Sequence, residues 1–229
     1  MNWINSQYRE NLKKYNKNDG IKAIIVYLLL MAITFAQGWL YTTNISAFLL
    51  DTVQIWIPLI VVIVFFGYLV ISKEKVCSIG IHSENLKQSI LLGIGGGIIL
   101  LGLQVLFAVI QGNKVSVDLS MLRLCYFFII APFQEEIIFR GYIQTRLFGL
   151  IKRQWMVGIV NAIFFWFIHY PVRWVATGSY SLGMLSVSHV IWLIVLHYLC
   201  DAVYKKTNCV WGAVILHIIY NAVGATLIL

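Results

Sequence analysis

Long apolar runs separated by short polar stretches divide the chain almost completely. Apolar segments lie near 21–40, 54–71, 88–110, 121–149, 155–170, 182–204 and 209–229. Each is about long enough, or nearly so, to cross a bilayer core as a helix, which needs roughly 20 residues. The pattern predicts an all-α, polytopic transmembrane helical bundle of about seven spans. An eighth element, re-entrant or interfacial, would not register in it. Pro58 falls in the first turn of the second run, and Pro171 is expected to end the fifth. Pro132, inside the fourth, is expected to kink it by removing the bond to the carbonyl of Phe128. In the third run, Gly93-x-x-x-Gly97 lets two helices approach closely. No Gly-Lys-Ser/Thr follows it, so it is not a phosphate loop.

Residues 1–20 form a polar, basic segment ahead of a single transmembrane domain over 21–229. Within it, Trp3, Ile4, Tyr8, Leu12 and Tyr15 recur at helical spacing, with Arg9, Lys13, Lys14 and Lys17 on other faces. This reads either as a helix lying on an anionic membrane surface or as a disordered tail. No cleavable signal-peptide pattern is present.

Composition sharpens the class. The chain is 60% hydrophobic and 11% charged, with mean hydropathy +0.84, against about 25% charged residues in soluble domains. The net charge of +8 points to membrane orientation and not to nucleic acid, because the basic residues sit in short connections. Assigning alternate segments to alternate sides puts 14 of the 17 lysines and arginines on the N-terminal side, leaving Lys114, Arg123 and Arg173 opposite. By the positive-inside rule the N-terminus is cytoplasmic and the protein a multi-pass plasma-membrane protein. Small size, short loops and an Asn/Ile/Lys-rich composition look bacterial. The four cysteines form no C-x-x-C pair and no zinc-ligand spacing.

Against this background the fourth run stands apart. The stretch 131–141 carries Glu135, Glu136 and Arg140, and only 9 acidic residues exist in the chain. Charges within membrane segments are costly and mark function. Glu136 and Arg140 can pair at i, i+4, a pairing that also suits a purely structural role. Glu135 points about 100° away on a regular helix. His169 closes Phe165-Trp-Phe-Ile-His169, and His217 and Asn221 are again i, i+4. At 1.5 Å per residue, Glu135 and His169 both lie roughly 21–23 Å from the turn near 150–155. On the same measure His217 is shallower by several ångströms. His189, His197 and Asp201 belong to no motif and read as structural, and His82 lies in a loop.

Together, Glu135-Glu136-Ile-Ile-Phe-Arg140, Phe165-x-x-x-His169 and His217-x-x-x-Asn221 resemble the signature of the CAAX-protease and bacteriocin-processing (CPBP, or Abi) family of intramembrane glutamic endopeptidases. The resemblance spans 135–221, within a protease-like core of about 121–229. It implies that Glu135 and His169 activate a water, that His217 and Asn221 form the oxyanion hole, and that Glu136 paired with Arg140 holds the site in shape. It also implies a membrane-associated peptide or protein tail as substrate, with bacteriocin or pheromone processing or self-immunity as the role. The chemistry is coherent on its own terms: amide hydrolysis needs a base for the water and donors for the oxyanion, and water exclusion strengthens both. No cofactor is expected. A zinc site built from Glu135, His169 and His217 stays open, although His-Glu-x-x-His is absent. A non-catalytic immunity or scaffold protein also stays open. A solute carrier is disfavoured because no repeat pair is visible. The oligomeric state is not readable from the sequence.

Overall fold

The computed structural model describes residues 3–43, 47–112 and 124–226. All regular structure among them is helical. Helix α1 (Ser6–Lys13) is followed by α2 (Lys17–Leu40), α3 (Ala47–Ile71), a 3-10 turn (Val76–Ile79) and α4 (Leu86–Ile110). Helix α5 runs over 124–147, then come α6 (Gln154–Phe167), α7 (Pro171–Thr177), a second 3-10 turn (Leu182–Met184), α8 (Val187–Thr207) and α9 (Trp211–Thr226). The expected start of the fourth span at Met121, the flanking Lys114 and Arg123, and the last span's final residues lie outside the described residues.

Four helical stretches are long and apolar enough to cross a membrane: Lys17–Leu40, Leu86–Ile110, Gln154–Thr177 and Val187–Thr207. This is a polytopic helical bundle, but that measure yields four spans where seven were expected. The difference has identifiable sources. The qualifying parts of α3 and α9 are shorter apolar segments, Ile55–Ile71 and Trp211–Ala222, and α5 carries buried charges in its second half. The burial pattern is inverted relative to a water-soluble protein. Ile63, Ile71, Ile99 and Ile110 stand outward, whereas Glu136, Arg140, Gln144, Arg146, Asn161 and Lys205 are buried. Outward apolar and inward polar positions suit a lipid solvent.

Local chemistry explains the ends. Asn16 and Asp19 form a reciprocal capping box at the start of α2, and Ser186 caps α8 through the amide of His189. The fifth run stops as a helix at Phe167, ahead of Pro171 as expected, and Pro171 then starts a new helix. It occupies the first turn of α7, where a missing amide costs nothing. Helix α7 is the additional short element, and it packs on α2 through Gly38 against Val172 and Phe35 against Trp174.

Two expectations about charge and the N-terminus are corrected. Ile4, Tyr8 and Leu12 do not face lipid headgroups but belong to the protein core. Tyr8 packs edge-on against Tyr204 and accepts a hydrogen bond from Gln144, and the amide of Asn5 donates to the carbonyl of Lys205. The stripe read as membrane-facing is covered by α8 and α5. Likewise Arg140 and Arg146 are buried and not loop residues. Arg146 pairs with Glu74, donates to Ser78 and lies against the Tyr142 ring. Lys205 is likewise buried, within α8, and without these three the basic residues divide 11 against 3, so the bias survives. His82, read as uninformative, donates from Nε2 to the carbonyl of Asn208 (2.7 Å) and ties its loop to the α8–α9 turn.

The closest helix contact is that of α4 with α9, and it rests on small residues as the glycine spacing predicts. A side chain at Gly93 would collide with the backbone of Gly212, and one at Gly97 would meet Ile219 at 2.8 Å. Ser89 bridges the pair, donating to the carbonyl of Cys209 and accepting from the amide of Gly212, both at 2.9 Å. Gly95 has open space. Gly93→Ala is therefore expected to lower thermal stability in detergent by about 1–3 kcal/mol. Gly95→Ala is expected to leave it unchanged or raise it by about 0.5–1 kcal/mol. Equal effects at the two positions would contradict this packing.

Candidate active site

Helix α5 is irregular where the acidic motif lies. Residues Tyr126–Ile130 and Glu136–Gln144 are π-helical, with one α-helical turn, Ala131–Glu135, between them. Such wide turns are rare and concentrate at functional sites. In the first of them the amide of Ala131 reaches back five residues to the carbonyl of Tyr126. The next amide in that register is the one Pro132 lacks, which leaves the Phe127 carbonyl without it; on α-helical counting the same missing amide is the one for Phe128. Asn221 fills the gap: its Nδ2 donates to the Phe127 carbonyl at 2.9 Å.

The second π-helical stretch carries the charge pair. Glu136 and Arg140 are fully buried, with Nη1 and Oε1 3.0 Å apart. The guanidinium lies over the Phe165 ring, its Cζ 4.2 Å from the centroid. His217 approaches the same carboxylate oxygen with Nδ1 at 2.7 Å. A carboxylate held against an arginine accepts, so Nδ1 carries a proton, and only in the neutral ring does Nε2 keep a lone pair.

His169 is fixed in the same way. Its Nδ1 lies 2.7 Å from the carbonyl of Phe165, which can only accept, so Nδ1 is the donor and in the neutral ring Nε2 is the acceptor. Arg173, one turn on, donates to the carbonyl of His169 at 3.1 Å. Phe165 thus joins three elements of the site. Its carbonyl sets the His169 tautomer, and its ring carries Arg140 and packs edge-on against both His169 and His217, at 5.3 and 6.2 Å.

These parts surround one cavity of about 580 Å3. Glu135, His169, His217 and Asn221 all line it, while Glu136 and Arg140 sit behind. Glu135 makes no ion pair with Arg140, and its Oε2 is buried without a hydrogen-bond partner. The irregularity of α5 reduces the expected depth mismatch of His217. A π-helical turn holds more residues than an α-helical one, so Glu135 lies nearer the 150–155 turn than 1.5 Å per residue implies. Sequence reasoning missed Arg173, His189, Tyr126, Tyr220 and Gln104, which also line the cavity. Arg173 had one visible signal, its i+4 spacing from His169. His189 had none. Among the described residues, no three His, Cys, Asp or Glu side chains converge as metal donors.

Residues 117–223 match the Rce1-like family, described as type II CAAX prenyl endopeptidase Rce1-like. The matched segment runs from before α5 into α9 and includes every site residue named from the sequence. No curated protein and no solved structure matches the chain.

Removing one partner from a buried charge cluster leaves the other uncompensated. Arg140→Ala, which strands Glu136 beside His217, is expected to destabilise the folded protein by about 3–5 kcal/mol. Thermal unfolding in detergent checks this; an unchanged midpoint would show that the pair carries no such weight.

Proposed function

We propose, for a chain that belongs through residues 117–223 to the Rce1-like family of type II CAAX prenyl endopeptidases, that the cavity is the active site of an intramembrane glutamic endopeptidase. Its substrate is a backbone amide in a membrane-associated peptide or protein tail. The observation that carries the reading is the asymmetry of the two adjacent carboxylates. Glu136 is spent on Arg140 and His217, whereas Glu135 lines the cavity with no counter-ion among the described residues.

Each step then has a residue. A water held between Glu135 and the Nε2 of His169 gives its proton to Glu135 as its oxygen attacks the carbonyl carbon. The developing oxyanion is met by Asn221, whose Nδ2 has a second hydrogen beyond the one committed to Phe127. His217 joins as a donor when Nε2 is protonated, with Glu136 balancing the charge. When the C–N bond breaks, Glu135 returns its proton to the leaving amine, and the acid and amine products separate. Arg140, Glu136 and Phe165 hold the reacting groups in register. With the N-terminus cytoplasmic, this chemistry takes place in the outer half of the bilayer. The polar lining, including Thr34, Gln37, Gln104 and Gln134, suits an extended peptide backbone. A bacteriocin or pheromone precursor fits that description.

Incubation of the purified protein with membrane peptides, read by mass spectrometry, tests the reading. Glu135→Gln is expected to reduce kcat by about 10²–10⁴-fold with insertion and folding intact. Exhaustive chelation is expected to leave the rate unchanged. Loss restored by zinc would move the chemistry to a metal-bound water. A biological effect that persists in Glu135→Gln would point instead to a non-catalytic immunity or scaffold role.

A further inference from the structure

Pro132 lies outside the motif pattern, and none of the chemistry above uses it. Three observations connect it to the oxyanion donor. The amide of Ala131 pairs with Tyr126 in the five-residue register. The following position, which in that register would pair with Phe127, is a proline without an N–H. The Phe127 carbonyl receives the Nδ2 of Asn221 from another helix. A carboxamide is planar, so committing one hydrogen of Nδ2 to a fixed backbone acceptor also fixes the direction of the other. Asn221 and Phe127 both line the cavity.

We propose that Pro132 is a positioning residue for the oxyanion donor. By withholding an amide it leaves the Phe127 carbonyl vacant, and that carbonyl aims the remaining N–H of Asn221 at the reacting carbonyl. This rests on the reading of Asn221 given above. An alanine at 132 supplies an N–H on the same helix that can compete for the Phe127 carbonyl. Asn221 then loses its anchor without being altered. The kink that a proline introduces is thereby a secondary matter; the absent donor is what the site uses.

The test is a double-mutant cycle read by binding, so that residual turnover is not needed. The probe is a phosphinate peptide that mimics the tetrahedral intermediate, with the uncleaved peptide bound to Glu135→Gln backgrounds as the ground-state control. Pro132→Ala is expected to weaken phosphinate binding about tenfold, the worth of one well-placed hydrogen bond, with peptide affinity unchanged. In an Asn221→Ala background the same change is expected to matter less than about twofold. Removing proline from a helix interior favours the helix, so the unfolding midpoint of Pro132→Ala should not fall.

An equal loss in both backgrounds, undiminished phosphinate affinity, or a lowered midpoint would each overturn the proposal. Failure of the underlying reading has a different pattern. There, Asn221→Ala itself leaves phosphinate binding intact, or Glu135→Gln retains turnover. If those two variants behave as expected and only Pro132→Ala is silent, the inference about Pro132 alone is lost.

Discussion

The buried cluster of Glu136, Arg140 and His217 is the constraint on which the site depends. Two carboxylates adjacent in sequence would repel and compete if both faced one cavity. Here a fully buried arginine and a histidine claim Glu136, and the Phe165 ring holds the guanidinium from its other face. Glu135 is left to the cavity. Environment thereby assigns different tasks to chemically similar groups, a recurring arrangement in acid–base sites. The cluster also orders His217, whose ring cannot turn without giving up the carboxylate.

Helix α5 makes this division geometrically feasible. A regular helix turns 100° per residue, and its backbone donors are all consumed internally. The π-helical turns on either side of Pro132 widen the helix and expose a carbonyl that α-helical pairing would have hidden. In lipid a vacant backbone group is costly, so its partner is supplied by a side chain from α9. The same irregularity shortens the path from the 150–155 turn to Glu135, which shares its cavity with His217.

Much of this was legible before any coordinates. Hydropathy located α2, α4 and α8 within a few residues, because a span must be apolar over its full length. The three polar motifs marked the cavity because ionisable groups are rare in such segments. What escaped notice depended on tertiary context. The stripe of Ile4, Tyr8 and Leu12 is the same whether it meets lipid or protein. Arg146 looks like a loop cation until Glu74 and Ser78 are seen around it. The π-helical register leaves no periodic trace in an almost wholly apolar run, so the bond from Asn221 to the Phe127 carbonyl could not be read from spacing. His189 and Arg173 reach the cavity through the placement of α7 and α8, which spacing alone does not specify.

The interior polar groups fall into two layers, and their difference separates support from chemistry. Toward the end of the bundle where α1 docks, Asp201 holds Lys205 and Gln144, Gln144 reaches Tyr8 and Asn161, and Arg146 holds Glu74. Charge meets opposite charge there, and most donors meet acceptors. Such a layer can specify how helices pack while remaining chemically inert. In the other half, the cavity holds a carboxylate with no counter-ion among the described residues, two imidazoles whose Nδ1 bonds leave Nε2 uncommitted, and a carboxamide with a spare hydrogen. A bilayer interior offers no bulk water to satisfy these groups, so their retention is costly unless a reactant meets them. The satisfied layer holds the frame, and on the function proposed above the unsatisfied one is where a peptide bond and a water molecule would complete the hydrogen bonding.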